Sequence, residues 1–199
     1  MNIYLYDGSF DGLLTAIFYS FADKDELDIV RENAYEPTLL SVPQMVPTEA
    51  DKAQRVAESI QQRLSYRTWQ SVYYLYLSEL PSCDYLIYRY LKLCYGSGDA
   101  INQAKQHPII HEVDLICRKV AYEAHRFKGF VRFIELAPLV FYSKIEPDHN
   151  ILPLLQRHFT PVSYTHLLGQ PIPINIHPHK IPKKTPTTCM PITVSAPAG

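Results

Sequence analysis

The stretch "IEPDHNILPLLQRHF", Ile145 to Phe159, sets Glu146, Asp148, His149, Asn150, Arg157 and His158 around a short apolar run. Carboxylates beside an imidazole could act as general acid and base, and two histidines with acids could ligate a metal. Helical spacing argues against the metal. Nine residues at 100° each turn His158 half a revolution from His149, so on one helix the rings face opposite sides and do not share an ion. Glu146 precedes Pro147 and is biased towards extended backbone. A helix then starts with Asn150 as its cap, which puts Pro153 at the third helical position, where it costs no internal bond. Arg157 and His158, in its last turn, complement the helix dipole. Glu146, Asp148 and His149 are left on the irregular link before the helix, a kind of segment that often carries function when rigid elements hold it. They form the candidate catalytic group. The plain alternative is that Asp148 and Asn150 cap the helix while His149 bonds locally.

Just upstream, "KGFVRFIEL" and "LVFYSKI" flank Ala137-Pro138, the best hairpin signal in the chain. Period two places Val131, Phe133 and Glu135 on one face and Phe130, Arg132 and Ile134 on the other. Arg132 suits bidentate recognition of a phosphate or carboxylate. Together with Glu135 and His125 it makes a candidate substrate-binding set, the alternative being edge positions with their heads in water. His125 belongs to a helix read over Ile109–Arg126, with a buried stripe of Ile110, Val113, Cys117, Val120, Ala121 and Ala124. His111, Asp114, Arg118, Tyr122 and His125 run beside that stripe, either lining a pocket or forming a solvated edge with Asp114–Arg118 as an i,i+4 pair.

The elements that must position these residues read as follows. "NIYLY" is a short strand closed by Asp7-Gly8, and Ser9 caps a helix with Phe10, Leu13, Leu14, Ile17, Phe18 and Phe21 on one face. An acidic loop follows, then "TLLSVPQMVPT", extended and edge-like because Pro43 and Pro47 cannot donate to a ladder. Thr48 with Asp51 resembles a capping box opening a second helix. "TWQSVYYLYLSEL" and "CDYLIYRYLKLCY" are two further Tyr-rich helices, and Asp99 caps a short one over Ala100–Gln106. The expectation is a single α/β (α+β) domain over residues 1–160, with about six helices on a small, mostly antiparallel sheet containing the 130–145 hairpin.

Composition bounds the function. The 199 residues are 47% hydrophobic and 20% charged, ordinary for a globular protein. All 20 acids fall in residues 1–160 with 16 Lys and Arg, a net −4, whereas residues 161–199 hold three Lys, no acid and eight of the 16 prolines. That tail is expected to be disordered or polyproline-like. No signal peptide or long apolar run is apparent, so a cytoplasmic protein with no membrane association is expected. Cys83, Cys94, Cys117 and Cys189 have no metal or disulfide spacing and are read as reduced thiols. G-x-x-x-x-G-K-[ST], G-x-G-x-x-G, H-E-x-x-H and G-x-S-x-G are all missing, which leaves nucleotide hydrolysis at a phosphate loop, dinucleotide binding and the common hydrolase signatures without support. No cofactor or metal is implied.

Four stretches, "IYLYDGSFDGLLTAIF", "VYYLYLSE", "AHRFKGFVRFIEL" and "IEPDHNILPLLQRHF", together resemble a bacterial family described as DNA metabolism proteins. The resemblance covers residues 1 to about 160. It implies a role beside a radical SAM protein of DNA modification or repair, and related domains occur fused to uracil-DNA glycosylases. It transfers no catalytic residues. Matching positions include Asp7, Gly8, Ser9, Gly12, Glu79, His125, Gly129, Arg132, Glu135, Glu146, Pro147, Asp148, His149, Asn150, His158 and Phe159. Similar proteins continue past His158-Phe159 with a Trp-containing strand and a helix, whereas here "PVSYTHLLGQ" begins, which suggests a truncation or a chimeric tail.

Three functions follow as expectations. One is a DNA-repair module whose Tyr73, Tyr74, Tyr76, Tyr85, Tyr88, Tyr90 and Tyr95 stack on single-stranded bases, against which stands the body's negative charge. Another is a nucleic-acid hydrolase or glycosylase-type enzyme using Asp148 or Glu146 with His149 and Arg132. The last is an adaptor presenting the Tyr-rich helices to the radical SAM partner.

Overall fold

The structure, a computed structural model, describes residues 2–23, 27–37, 39, 41–137, 140–156, 158–159, 174–176 and 189–194. The chain divides into two compact units, Met1–Arg118 and Lys119–Gly199.

The first unit is built on a three-stranded parallel sheet. β1 (Asn2–Tyr6) lies between β2 (Leu27–Arg31) and β3 (Val42–Met45). Tyr4 stands opposite Ile29 on one side and Gln44 on the other. The expectation of a mostly antiparallel sheet is corrected here. The crossover through α1 (Phe10–Ala22) returns the chain parallel to β1, and the link after β2 brings β3 in parallel on the far side. β2 itself lay in what reads as an acidic loop. Its alternation of buried Leu27 and Ile29 with less buried Asp28 and Val30 is short and masked by neighbouring acids.

Four helices complete this unit: α1, α2 (Ala50–Arg63), α3 (Tyr66–Ser78) and α4 (Cys83–Ser97), followed by a 3-10 turn over Asp99–Gln103 where a short helix is expected. Ser9 caps α1 as its sequence predicts, accepting from the Gly12 N–H at 2.9 Å. The expected capping box of α2 does not form. The Thr48 hydroxyl donates instead to Asp7, and Glu49 is the residue before the helix. Leu13, Ile17, Ile29, Ile60, Leu75, Ile87 and Leu91 are among the fully buried side chains, and this core contributes most of the unit's hydrophobic stabilisation.

Helix α5 (Pro108–Phe130) gives its first part to this unit and its last turns to the second. It runs four residues past the predicted end at Arg126. The Arg126 guanidinium lies 5.8 Å from the Tyr122 ring and 5.7 Å from the Phe130 ring, i,i±4 contacts that favour continuing the helix through Gly129. The second unit then holds the antiparallel hairpin of β4 (Ile134–Ala137) and β5 (Val140–Lys144), with Ile134 opposite Tyr142. Backbone segments β6 (Ile174–Ile176) and β7 (Cys189–Val194) extend this sheet in the order β4-β5-β7-β6. The rest of the expected tail lies outside the described residues. A sixth helical segment covers 152–156, so the chain is mixed α/β and mostly helical. No helix among the described residues is long and apolar enough to cross a membrane.

Candidate functional site

The link between β5 and the last helical segment is held by a residue that sequence reasoning did not select. Glu123, on α5, accepts three hydrogen bonds. The Asp148 N–H donates to its Oε1 at 2.5 Å, the His149 N–H to Oε2 at 3.0 Å, and His149 Nδ1 to the same Oε2 at 2.6 Å. The two side chains are only 12% and 11% exposed. Three donors converging on one carboxylate fix the link and the ring together, and charge-assisted bonds of this kind are about twice as strong as neutral ones. The consequence for chemistry is an oriented ring. With Glu123 as the accepting carboxylate, Nδ1 is the donor, and in the neutral ring Nε2 is then the nitrogen able to accept a proton, the arrangement a general base needs.

The other predicted catalytic residues do not join this pair. Asp148 contributes its backbone N–H while its side chain is exposed, and Glu146 is exposed and paired with Lys144 at 3.0 Å on the surface. The helix begins one residue later than predicted. The Leu155 N–H donates to the Ile151 carbonyl at 3.0 Å, so Ile151 precedes the first turn and Pro153 sits at its second position, still without loss of an internal bond. Ile151, Leu152 and Leu155 are buried, and Phe159 meets Phe133 edge-on at 5.2 Å. These contacts anchor the segment after His149.

Of the predicted substrate-binding set, Arg132 lies not in a strand but in the three-residue link between α5 and β4, and it is exposed. His125 is exposed on α5. Glu135 pairs with Phe141 in the hairpin register, and its side chain lies outside the described residues. His158 contacts Phe159 ring to ring at 5.0 Å. Among the described residues no group of three or more His, Cys, Asp or Glu side chains is placed to hold a metal ion. Cys83, Cys94 and Cys117 are free; burial raises all three thiols, to about 11 for Cys94 and about 12 for Cys117, away from nucleophilic behaviour.

A second cluster occupies the carboxyl edge of the parallel sheet in the first unit. Asp7, directly after β1, accepts from the Ser9 N–H at 2.9 Å, the Ser9 hydroxyl at 2.6 Å and the Thr48 hydroxyl at 2.9 Å. Partial burial raises its carboxyl, but these donors outweigh it and the net shift is downward. Beneath it, Arg31 donates to both oxygens of Asp84 at 3.2 and 3.3 Å and to the Tyr6 hydroxyl at 3.1 Å. Tyr76 closes the group by donating to the Gly8 carbonyl at 3.0 Å while its ring lies under the Arg31 guanidinium. Strand order β2-β1-β3 reverses direction at β1, and the carboxyl ends of such strands are where open parallel sheets gather polar groups. Here those groups satisfy one another.

Residues 81–162 match the model of DUF4130, a domain of unknown function. The matched stretch contains α4, α5, the hairpin and the Glu123–His149 pair. No curated protein and no solved structure matches the chain.

Proposed function

We propose that this protein works in DNA metabolism beside a radical SAM partner, and that its chemical contribution is proton abstraction by His149 in a hydrolase- or glycosylase-type step. The family association rests on the four resembling motifs, one of which contains His149. The observation that carries the chemistry is the 2.6 Å bond from His149 Nδ1 to Glu123, which orients the ring and leaves Nε2 as the nitrogen that would take the proton. Glu146 pairs with Lys144 on the surface and Asp148 gives Glu123 its backbone N–H, so this reading assigns the proton abstraction to His149 rather than to either carboxylate. The adaptor alternative is less favoured, because Tyr88 and Tyr90 are buried and Tyr73, Tyr74, Tyr76, Tyr85 and Tyr95 are only partly exposed, which leaves Tyr66 at the start of α3 as the one open tyrosine of these two helices.

Labelled single-stranded and duplex oligonucleotides carrying uracil or an abasic site, incubated with wild-type protein and with His149→Gln, test the step. A positioned general base contributes roughly 10²–10⁴-fold, so release of base or cleavage of the strand should fall by at least about 100-fold in the variant at unchanged melting temperature. Equal rates for the two proteins would exclude His149 as the base.

A further inference from the structure

The last turns of α5 carry a surface that neither the motifs nor the Glu123–His149 pair accounts for. Tyr122, Arg126 and Phe130 follow one another at i, i+4, i+8 and so line one face. Tyr122 is 65% and Phe130 66% exposed, unusually open for aromatic rings, and the Arg126 guanidinium lies within 6 Å of both ring centres. Lys119, seven residues before Arg126 and so on the same face, is exposed, Arg132 follows beyond the helix end and is exposed too, and His125 borders the stripe, whereas Lys128 lies about 160° round the helix from Arg126. From Lys119 to Arg132 there are four Lys and Arg and one acid, and that acid, Glu123, is already committed to His149. A chain whose first 160 residues carry a net −4 thus concentrates positive charge where it also exposes aromatic faces.

We infer that this stripe is a docking platform for single-stranded DNA. Exposed rings offer stacking surfaces to unpaired bases, an arginine held between them adds a cation to the stack, and Lys119 and Arg132 supply charge for the backbone phosphates. Duplex DNA hides its base faces and cannot use the rings. Glu123 lies about 60° round the helix from Arg126, so a strand on the platform runs beside the His149 link. The inference deepens the DNA-metabolism reading and rests on it for the choice of DNA as occupant. It also moves the aromatic contact away from the tyrosines of α3 and α4.

Fluorescence anisotropy with a labelled single-stranded oligodeoxynucleotide of about 15 nucleotides, matched duplex and RNA, and an acidic peptide tests it across a salt series. Wild-type protein should bind the single strand best, with a log–log salt slope of roughly −2 if three cations each neutralise one phosphate. Tyr122→Ala and Phe130→Ala should each weaken binding by about 5- to 150-fold, the range for losing one stacked base, while Tyr122→Phe keeps the ring and retains affinity. Arg132→Gln should make the salt slope shallower by about 0.7. Equal affinity of wild type and both alanine variants would overturn the platform, as would preference for duplex, RNA or peptide. Absence of any binding at low salt would also overturn it. The wider reading fails separately, by loss of association with the radical SAM partner, which the platform variants leave untouched.

Discussion

His149 is held through both its ring and its backbone N–H by one carboxylate, Glu123. The "EPDH" link draws attention because acids and an imidazole sit on irregular backbone, and the imidazole is held there. Glu123 lies 26 positions upstream, on a helix that reads as amphipathic by its apolar residues. A signal was present: 123 is one step from Ala124 and three from Val120, both buried, so an acid there borders the core and needs donors. Asp28 is a second acid of this kind. Burial raises its carboxyl, the Ile29 N–H at 2.8 Å opposes the rise, and the charge of Asp84 adds to it. A raised carboxyl binds its proton more tightly when folded. Its contribution to stability is therefore full below the unfolded value near about 3.9 and is lost as pH rises through the folded value. Asp28→Asn, which retains an oxygen for Ile29, should melt higher than wild type at pH 7, with the gain shrinking towards pH 4. Thermal scans at the two pH values check this; a lower melting temperature at pH 7 would contradict it.

At the scale of elements, period was the reliable guide and length was not. The stripe of α1, its Ser9 cap and the 134–144 hairpin were legible because each has a clean pattern and a distinct stop. β2 was hidden by the acids around it. The end of α5 was misplaced because Arg126 with Tyr122 and Phe130 outweighs the helix-weakening Gly129. The turn from β1 into α1 was legible as a turn, but its tightness was not. A methyl group at Gly12 would stand 2.2 Å from Asp7 Oδ1 and 2.9 Å from both the Ser9 and Thr48 hydroxyl oxygens. Gly12→Ala should therefore break the Asp7 network and destabilise the first unit by about 1–3 kcal/mol, despite the gain in helix propensity. Urea unfolding measures the difference. A stability equal to or above wild type would mean that Asp7 and Thr48 move aside without loss.

For the whole molecule, fold class was accessible from the order of strands and helices, whereas strand direction was not. Parallel pairing depends on where each crossover returns the chain, and the ten-residue link from β2 to β3 has no pattern that announces it. Charge was similarly informative only when localised. The average of −4 over residues 1–160 argued against nucleic acid, while the end of α5 concentrates cations beside exposed rings. The claim on which the functional account turns is association with a radical SAM protein of DNA metabolism. The direct measurement is reciprocal affinity purification of this chain and the proposed radical SAM partner, each tagged in turn, in nuclease-treated extract. The account predicts that each retains the other in both directions after nucleic acid is removed. Failure of both to retain their counterpart, with each protein folded, would contradict it.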